Sequence, residues 1–187
     1  MELKTVYFDK PGKDNSEEVF GIVKKRAGEL GIKTVIVATT VGDSAARAVD
    51  VFEGMRVVVI THQTGMREPN VQELTDENRQ AIEKGGGVIL TTNHAFTGIG
   101  GEMRKKLNMH LEGDIIANTL RIFGQGMKVV CEITLMAADA GLVRTDEEVL
   151  VIGGSGRGAD TAVVLNPVNT SDFFDIKVKE IICKPHF

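Results

Sequence analysis

Lys33-Thr34-Val35-Ile36-Val37-Ala38-Thr39-Thr40-Val41-Gly42-Asp43-Ser44 is the stretch that decides how the rest of the chain is read. Residues 34–38 are a continuous β-branched run with no charge, the composition of a strand covered on both faces rather than one that alternates between core and water. The hydroxyl- and glycine-bearing residues 39–44 interrupt that run, and residues 44–52 read as a helix. A strand leading through a short polar loop into a helix is the first half of a strand–helix–strand unit, and such units set their strands parallel.

The pattern repeats on both sides. Toward the N-terminus, Val6-Tyr7-Phe8 is a short apolar run ended by the turn-forming Asp9-Lys10-Pro11-Gly12. Asn15 and Glu18 have capping-box spacing ahead of a helical series, Val19, Ile22, Val23, Ala27 and Leu30, and Gly31 stands where the helix should stop. Toward the C-terminus, Val57-Val58-Val59-Ile60 reads as a second buried strand. Thr75 reads as the cap of a helix with Asp76 and Glu77 in its first turn and Lys84 in its last, and Val88-Ile89-Leu90 as a third buried strand.

After Asn93 the rhythm changes. Gly98-Ile99-Gly100-Gly101 leads into a basic helical piece with Arg104, Lys105 and Lys106. Two helical segments, 114–123 and 127–140, share an apolar stripe of Ile116, Leu120, Phe123, Met127 and Val130, expected in the core. Strand patterns return at 149–152, 162–165 and 176–182, the last alternating apolar and charged residues as an edge strand should. No repeat or linker divides the chain, so residues 1–187 are expected to form one α/β domain around a largely parallel sheet covered on both faces.

Composition bounds the function. The chain has 187 residues, 42% of them hydrophobic, which suits a single globular core. Lys plus Arg number 22 against 26 Asp plus Glu, a net charge of −4, and a nucleic-acid binder would need a basic face instead. No run approaches ~18 apolar residues, and Glu2 and Lys4 leave no apolar signal core, so neither membrane insertion nor export is expected. Two cysteines, Cys131 and Cys183, are too few for a disulfide framework. These features together predict a cytoplasmic protein.

In sheets of this kind ligands bind beyond the carboxyl ends of the strands, so the loops there are the functional candidates. Thr39, Thr40, Gly42, Asp43 and Ser44 bring hydroxyls and backbone N–H groups to a helix N-terminus, a combination suited to phosphate; the plainer reading is that Asp43 or Ser44 only caps the helix. In Gly153-Gly154-Ser155-Gly156-Arg157-Gly158-Ala159-Asp160-Thr161, the glycines fit a dinucleotide fingerprint in spacing, but strand-like residues follow where that fingerprint needs a helix. The run is read either as a backbone surface approaching a ligand, with Arg157 as an anion partner, or as a tight turn between two strands. His62 and His94 follow the second and third buried strands and are placed at one sheet edge, as hydrogen-bond or acid–base groups or as structural histidines. Without a third ligand they make no metal site. Glu132, Met136 and Asp139 share a helix face, where Glu132 is a partly buried, tuned carboxylate, a residue of a solvated face or part of a structural ion pair. No nucleophile–base pair is recognisable, and the catalytic residues, if any, are unknown.

Thr39 to Ser44, entering a helix that begins Ala45-Ala46-Arg47, resembles the effector-phosphate loop of the pyruvate kinase C-terminal domain. The Gly-rich turn before Asp160-Thr161-Ala162-Val163-Val164 is similar to that domain's closing hairpin. Nearly end to end, the chain resembles a stand-alone family of pyruvate kinase α/β-domain-like proteins of archaea and bacteria. The likeness is carried by Pro11-Gly12, Gly42-Asp43-Ser44, Thr61-His62, His94, Glu132-Ile133, Met136-Ala137-Ala138-Asp139 and Gly158-Ala159-Asp160-Thr161. The resemblance implies a three-layer α/β/α fold with a mixed sheet in which one late strand runs antiparallel. It also implies no pyruvate kinase activity, because the catalytic barrel is absent.

For function the resemblance implies flavin mononucleotide (FMN) as ligand, with its phosphate at Thr39, Thr40, Gly42, Asp43 and Ser44. Thr61, His62 and His94 would contact the rest of it, and Gly153, Gly154 and Asp160 would close the far side. The alternatives are a flavin-dependent oxidoreductase of unknown substrate and a sugar-phosphate-sensing module. Asp43 departs from the kinase loop, which carries arginine there, and favours a ligand rich in hydroxyls. A homo-oligomer paired through strand 176–182 is a further expectation.

Overall fold

Alternation along the central strands sorts the core into two layers. In the computed structural model, which describes residues 2–186, β2 (Thr34–Ala38) sends Val35 and Val37 to one face of the sheet and Ile36 to the other. The strands β3 (Arg56–Ile60) and β5 (Val149–Gly153) do the same with Val57 and Val59 against Val58, and with Leu150 and Ile152 against Val151. A strand that is apolar on both faces needs a cover on each side. On one side lie α1 (Ser16–Leu30), α2 (Asp43–Val51) and α3 (Asp76–Lys84), which contribute Phe20, Val49 and Ile82. On the other lie α5 (Glu112–Arg121) and α6 (Gln125–Asp139), which contribute Ala117, Val130 and Leu135. The short α4 (Gly100–Leu107) precedes α5 and buries no residue.

With β1 (Val6–Phe8), β4 (Val88–Leu90), β6 (Thr161–Asn166) and β7 (Lys177–Pro185), the sheet has the order β1-β7-β6-β5-β2-β3-β4. Only β6 runs against the rest, pairing antiparallel with both β5 and β7. The α/β/α sandwich with a mostly parallel mixed sheet is therefore what the chain forms. Chain order reverses between β5 and β2, so their carboxyl ends flank the crevice where such sheets bind ligands.

Three local expectations change. The Asn15 side chain does not cap α1: its Nδ2 donates to the Lys10 and Gly12 carbonyls, because a 3-10 turn at Lys13–Asn15 leads straight into the helix. The β4 strand is an edge strand of intermediate burial, since nothing pairs with it beyond β3. The β7 strand is second from the opposite edge, but β1 pairs only with Cys183–Pro185. Its charged first half therefore stays exposed, as its alternation indicated, and one end of its outer side is already taken.

Candidate ligand site

The loop 39–44 is held by its own hydroxyl and by α3. Thr39 Oγ1 accepts the Gly42 N–H at 3.1 Å, and the Val41 carbonyl accepts Thr75 N–H and Asn78 Nδ2. The Asp43 carboxylate accepts Asn78 Nδ2 at 2.9 Å, so one oxygen is turned toward α3. Thr75 Oγ1 caps α3 as its sequence indicated. Gly42 has φ +112°, and a Cβ there would come 2.3 Å from Asn78 Cβ and 2.7 Å from Leu74 Cδ1. Only glycine fits this corner. The first N–H groups of α2 then point outward with no helical partner.

Beyond this loop lies a cavity of about 580 Å³ at the carboxyl ends of β2 and β3, walled by the starts of α1, α2 and α6. Thr39, Thr40, Asp43, Ser44, Thr61, His62, His94 and Gly154 line it, so eight of the eleven expected site residues do meet in one place. Gly42, Gly153 and Asp160 do not line it. Gly42 is packed against α3, and Gly153 ends β5 beneath Val129 and Val130 of α6. Asp160 is fully buried. Its Oδ2 accepts the Gly12 and Ser155 N–H groups at 2.9 and 3.0 Å, and its Oδ1 accepts the Thr161 hydroxyl. Buried and with both oxygens engaged, it clasps the Gly-rich turn to the segment before α1.

That turn joins β5 to antiparallel β6, the plainer of the two sequence readings, yet it also faces the cavity through Gly154, Gly156, Arg157 and Gly158. Ser16 Oγ accepts the Ala159 N–H at 2.9 Å, and a Cβ on Gly158 would lie 2.2 Å from Lys13 Cα. Close packing thus presents Arg157 beside Lys13. Neither side chain has a carboxylate partner among the described residues.

The chain's charge of −4 is inverted here. Six cationic side chains (Lys13, Arg47, Arg104, Arg121, Lys128 and Arg157) line the cavity against three carboxylates, Glu17, Asp43 and Glu132. Three helix N-termini add partial positive charge. Arg47 is engaged by Glu17 through two bonds of 2.9 Å across the mouth, and Arg104 by Asp114. Phe20, Ile60, Met66, Val129 and Ile133 supply apolar wall.

At the inner end, Thr61 is buried with its hydroxyl 2.7 Å from that of Thr91. The His62 and His94 rings stand 5.6 Å apart. His62 Nδ1 lies 2.7 Å from Glu73 Oε2, a carboxylate also held by Arg67. His94 Nδ1 lies 3.4 Å from Glu132 Oε2. Glu132 accepts the Phe96 N–H at 3.1 Å and is ion-paired with Lys128 one helical turn away. Burial pushes the Glu132 pKa up, but bonds and charges from His94 and Lys128 outweigh it and hold the carboxyl at about 2. Burial draws the Lys128 pKa down, against the pull of Glu132. Glu132 is thus the ion-paired alternative of its sequence reading, placed at the cavity wall.

The other two candidates of that helix face are structural. Met136 is buried in the core, and Asp139 accepts bonds from Asn169 and Thr170. Burial raises the Cys131 thiol to about 11, and Cys131 packs as a core residue.

The family model described as pyruvate kinase, alpha/beta domain matches residues 17–165. The chain belongs to that family. The matched span runs from α1 to β6 and takes in most of the cavity; β1, β7, Lys13 and Ser16 lie outside it. As a pyruvate kinase alpha/beta domain, the chain carries at the crevice several residues that sequence reasoning did not select: Lys13, Ser16, Arg47, Arg121 and Lys128. Scattered Lys and Arg give no local signal, and only the convergence of three helix starts gathers them. No helix is long and apolar enough to cross a membrane, and no group of three or more His, Cys, Asp or Glu could hold a metal, among the described residues.

Proposed function

We propose that this domain binds a small phosphorylated ligand, FMN, in the cavity at the carboxyl ends of β2 and β3. The observation that carries the reading is the surplus of positive charge in that cavity, set in a chain whose net charge is negative. Thr40, Ser44, the open N–H groups of α2, Lys13 and Arg157 would hold the phosphate. Phe20, Ile60, Met66 and Val129 would face the flavin ring. The volume, about 580 Å³, lies within the ~300–1,000 Å³ usual for cofactor sites. FMN, when bound, would supply hydride chemistry, and the protein would supply its placement.

The test is a visible spectrum of the purified protein followed by titration with FMN and with riboflavin. FMN is expected to bind at least ten-fold more tightly, about 1.4 kcal/mol, as one bond to a charged group would give. Equal affinity for the two would overturn the phosphate assignment.

A further inference from the structure

The paired cations of the cavity are of two kinds. Lys128 and Arg104 are held by Glu132 and Asp114, whose side chains are only 3% and 5% exposed and stay where the fold puts them. Arg47 is held by Glu17, whose side chain is 66% exposed and itself lines the cavity. The grip is a fork: Arg47 Nε and Nη2 each donate to a different Glu17 oxygen at 2.9 Å. Two parallel bonds from one guanidinium are also how arginine holds a phosphate. Glu17 therefore occupies the place on Arg47 that an anionic ligand would take.

Arg47 is placed to serve the ligand. It follows Ser44 by three residues on α2, a spacing that makes them neighbours on the helix surface, ~5–6 Å between Cβ atoms. Long helical side chains lean toward the helix N-terminus, here toward Ser44 and the open N–H groups. The Arg47 side chain is 49% exposed, and an ion pair between exposed groups contributes little to stability, so one anion can replace another there without disturbing the fold. Glu17 lies in the first turn of α1, where the helix dipole favours its charge even without Arg47.

We propose that Arg47 is a further phosphate-binding residue and that Glu17 is its built-in competitor, displaced when the ligand arrives. A phosphate monoester carries nearly two charges against one on the carboxylate, which favours the exchange. The inference rests on the cavity holding a phosphorylated ligand.

The experiment is calorimetric titration of wild type, Glu17→Gln, Arg47→Gln and the double variant with FMN, riboflavin and inorganic phosphate. Salt at ~0.3 M screens repulsion between charges that are not in contact. Both side chains are exposed, so the variants should fold like wild type. Glu17→Gln is expected to tighten FMN and phosphate about five-fold and to leave riboflavin as it was. Arg47→Gln should weaken both anions about ten-fold when Glu17 is already replaced, and only about two-fold when Glu17 is present to compete. With Arg47 already replaced, Glu17→Gln should change either affinity less than about two-fold. No tightening on Glu17→Gln, equal tightening with and without Arg47, or equal tightening of riboflavin would each overturn the competitor while leaving the phosphorylated-ligand reading in place. Phosphate responding as expected in a protein that ignores FMN would overturn only FMN as the ligand. If no variant binds phosphate or prefers FMN to riboflavin, the competitor and the phosphorylated-ligand reading fall together.

Discussion

Glu132, in the middle of α6, stands 3.4 Å from His94 and accepts the Phe96 N–H at 3.1 Å, so one buried carboxylate ties a core helix to the loop after β4. That loop forms the inner wall of the cavity. The packing of α6 and the geometry of the site are thus linked through a single group whose charge is retained on folding.

Acid should loosen that link. The Glu132 carboxyl is lowered from 4.5 to about 2 in the folded chain, so folding favours its ionised form. The stabilisation is complete above the unfolded value and is lost as pH falls through the folded one, amounting to about 3 kcal/mol across that window. Urea unfolding of the wild type should therefore weaken steeply between about pH 5 and pH 2. Glu132→Gln, less stable at neutral pH, should show a shallower slope. Parallel slopes for the two proteins would contradict the assigned burial of the charge.

The strands, most of the helices and the cavity's outer loop were legible in the sequence because each has a local cause. Unbroken β-branched runs mark 34–38 and 57–60, Thr75 caps α3, and Gly31 ends α1 with φ +70°. The family likeness supplied the antiparallel β6, which no local pattern distinguishes from its neighbours. What sequence could not show was direction. Asp160 has the residue type of a ligand contact, but it is buried and both its oxygens are engaged by Gly12, Ser155 and Thr161, the first of them from another segment of the chain. Lys128 reads as one polar residue in an apolar helix until Glu132, one turn on, is seen facing both it and His94.

Asp160 should accordingly behave as a structural residue. Asp160→Ala leaves two partly buried N–H groups and a buried hydroxyl without their shared acceptor, and is expected to cost about 2–4 kcal/mol in urea unfolding. Asp160→Asn keeps one acceptor oxygen and should cost less. A loss under about 1 kcal/mol for the alanine variant would show that the turn is held by other means.

Gly42→Ala should also report on stability. The added Cβ would meet Asn78 Cβ at 2.3 Å in a backbone conformation, φ +112°, that L-residues rarely adopt. The methyl points at α3, away from the cavity, so the expected result is a destabilisation of about 2–4 kcal/mol through strain and overpacking. An alanine variant as stable as wild type would mean that the loop and α3 are not packed as described.

The direct test of the phosphate end is a pair of variants that leave the fold alone. Ser44 and Arg157 both line the cavity, and neither side chain holds another element in place among the described residues. Ser44→Ala removes one hydroxyl at the start of α2, where α2's dipole and open N–H groups remain, and should weaken FMN about ten-fold. Arg157→Gln removes a charge with no carboxylate partner, so its loss should likewise weaken FMN while leaving riboflavin unchanged. It should also flatten the dependence of FMN affinity on salt, because a contribution from an accessible charge is screened over about 10 Å at 0.1 M. Calorimetric titration of both variants with FMN and riboflavin, at two salt concentrations, measures all of this. If Arg157→Gln weakens FMN and riboflavin equally, Arg157 contacts the ring or the sugar chain instead, and the phosphate must sit at another of the cavity's cations.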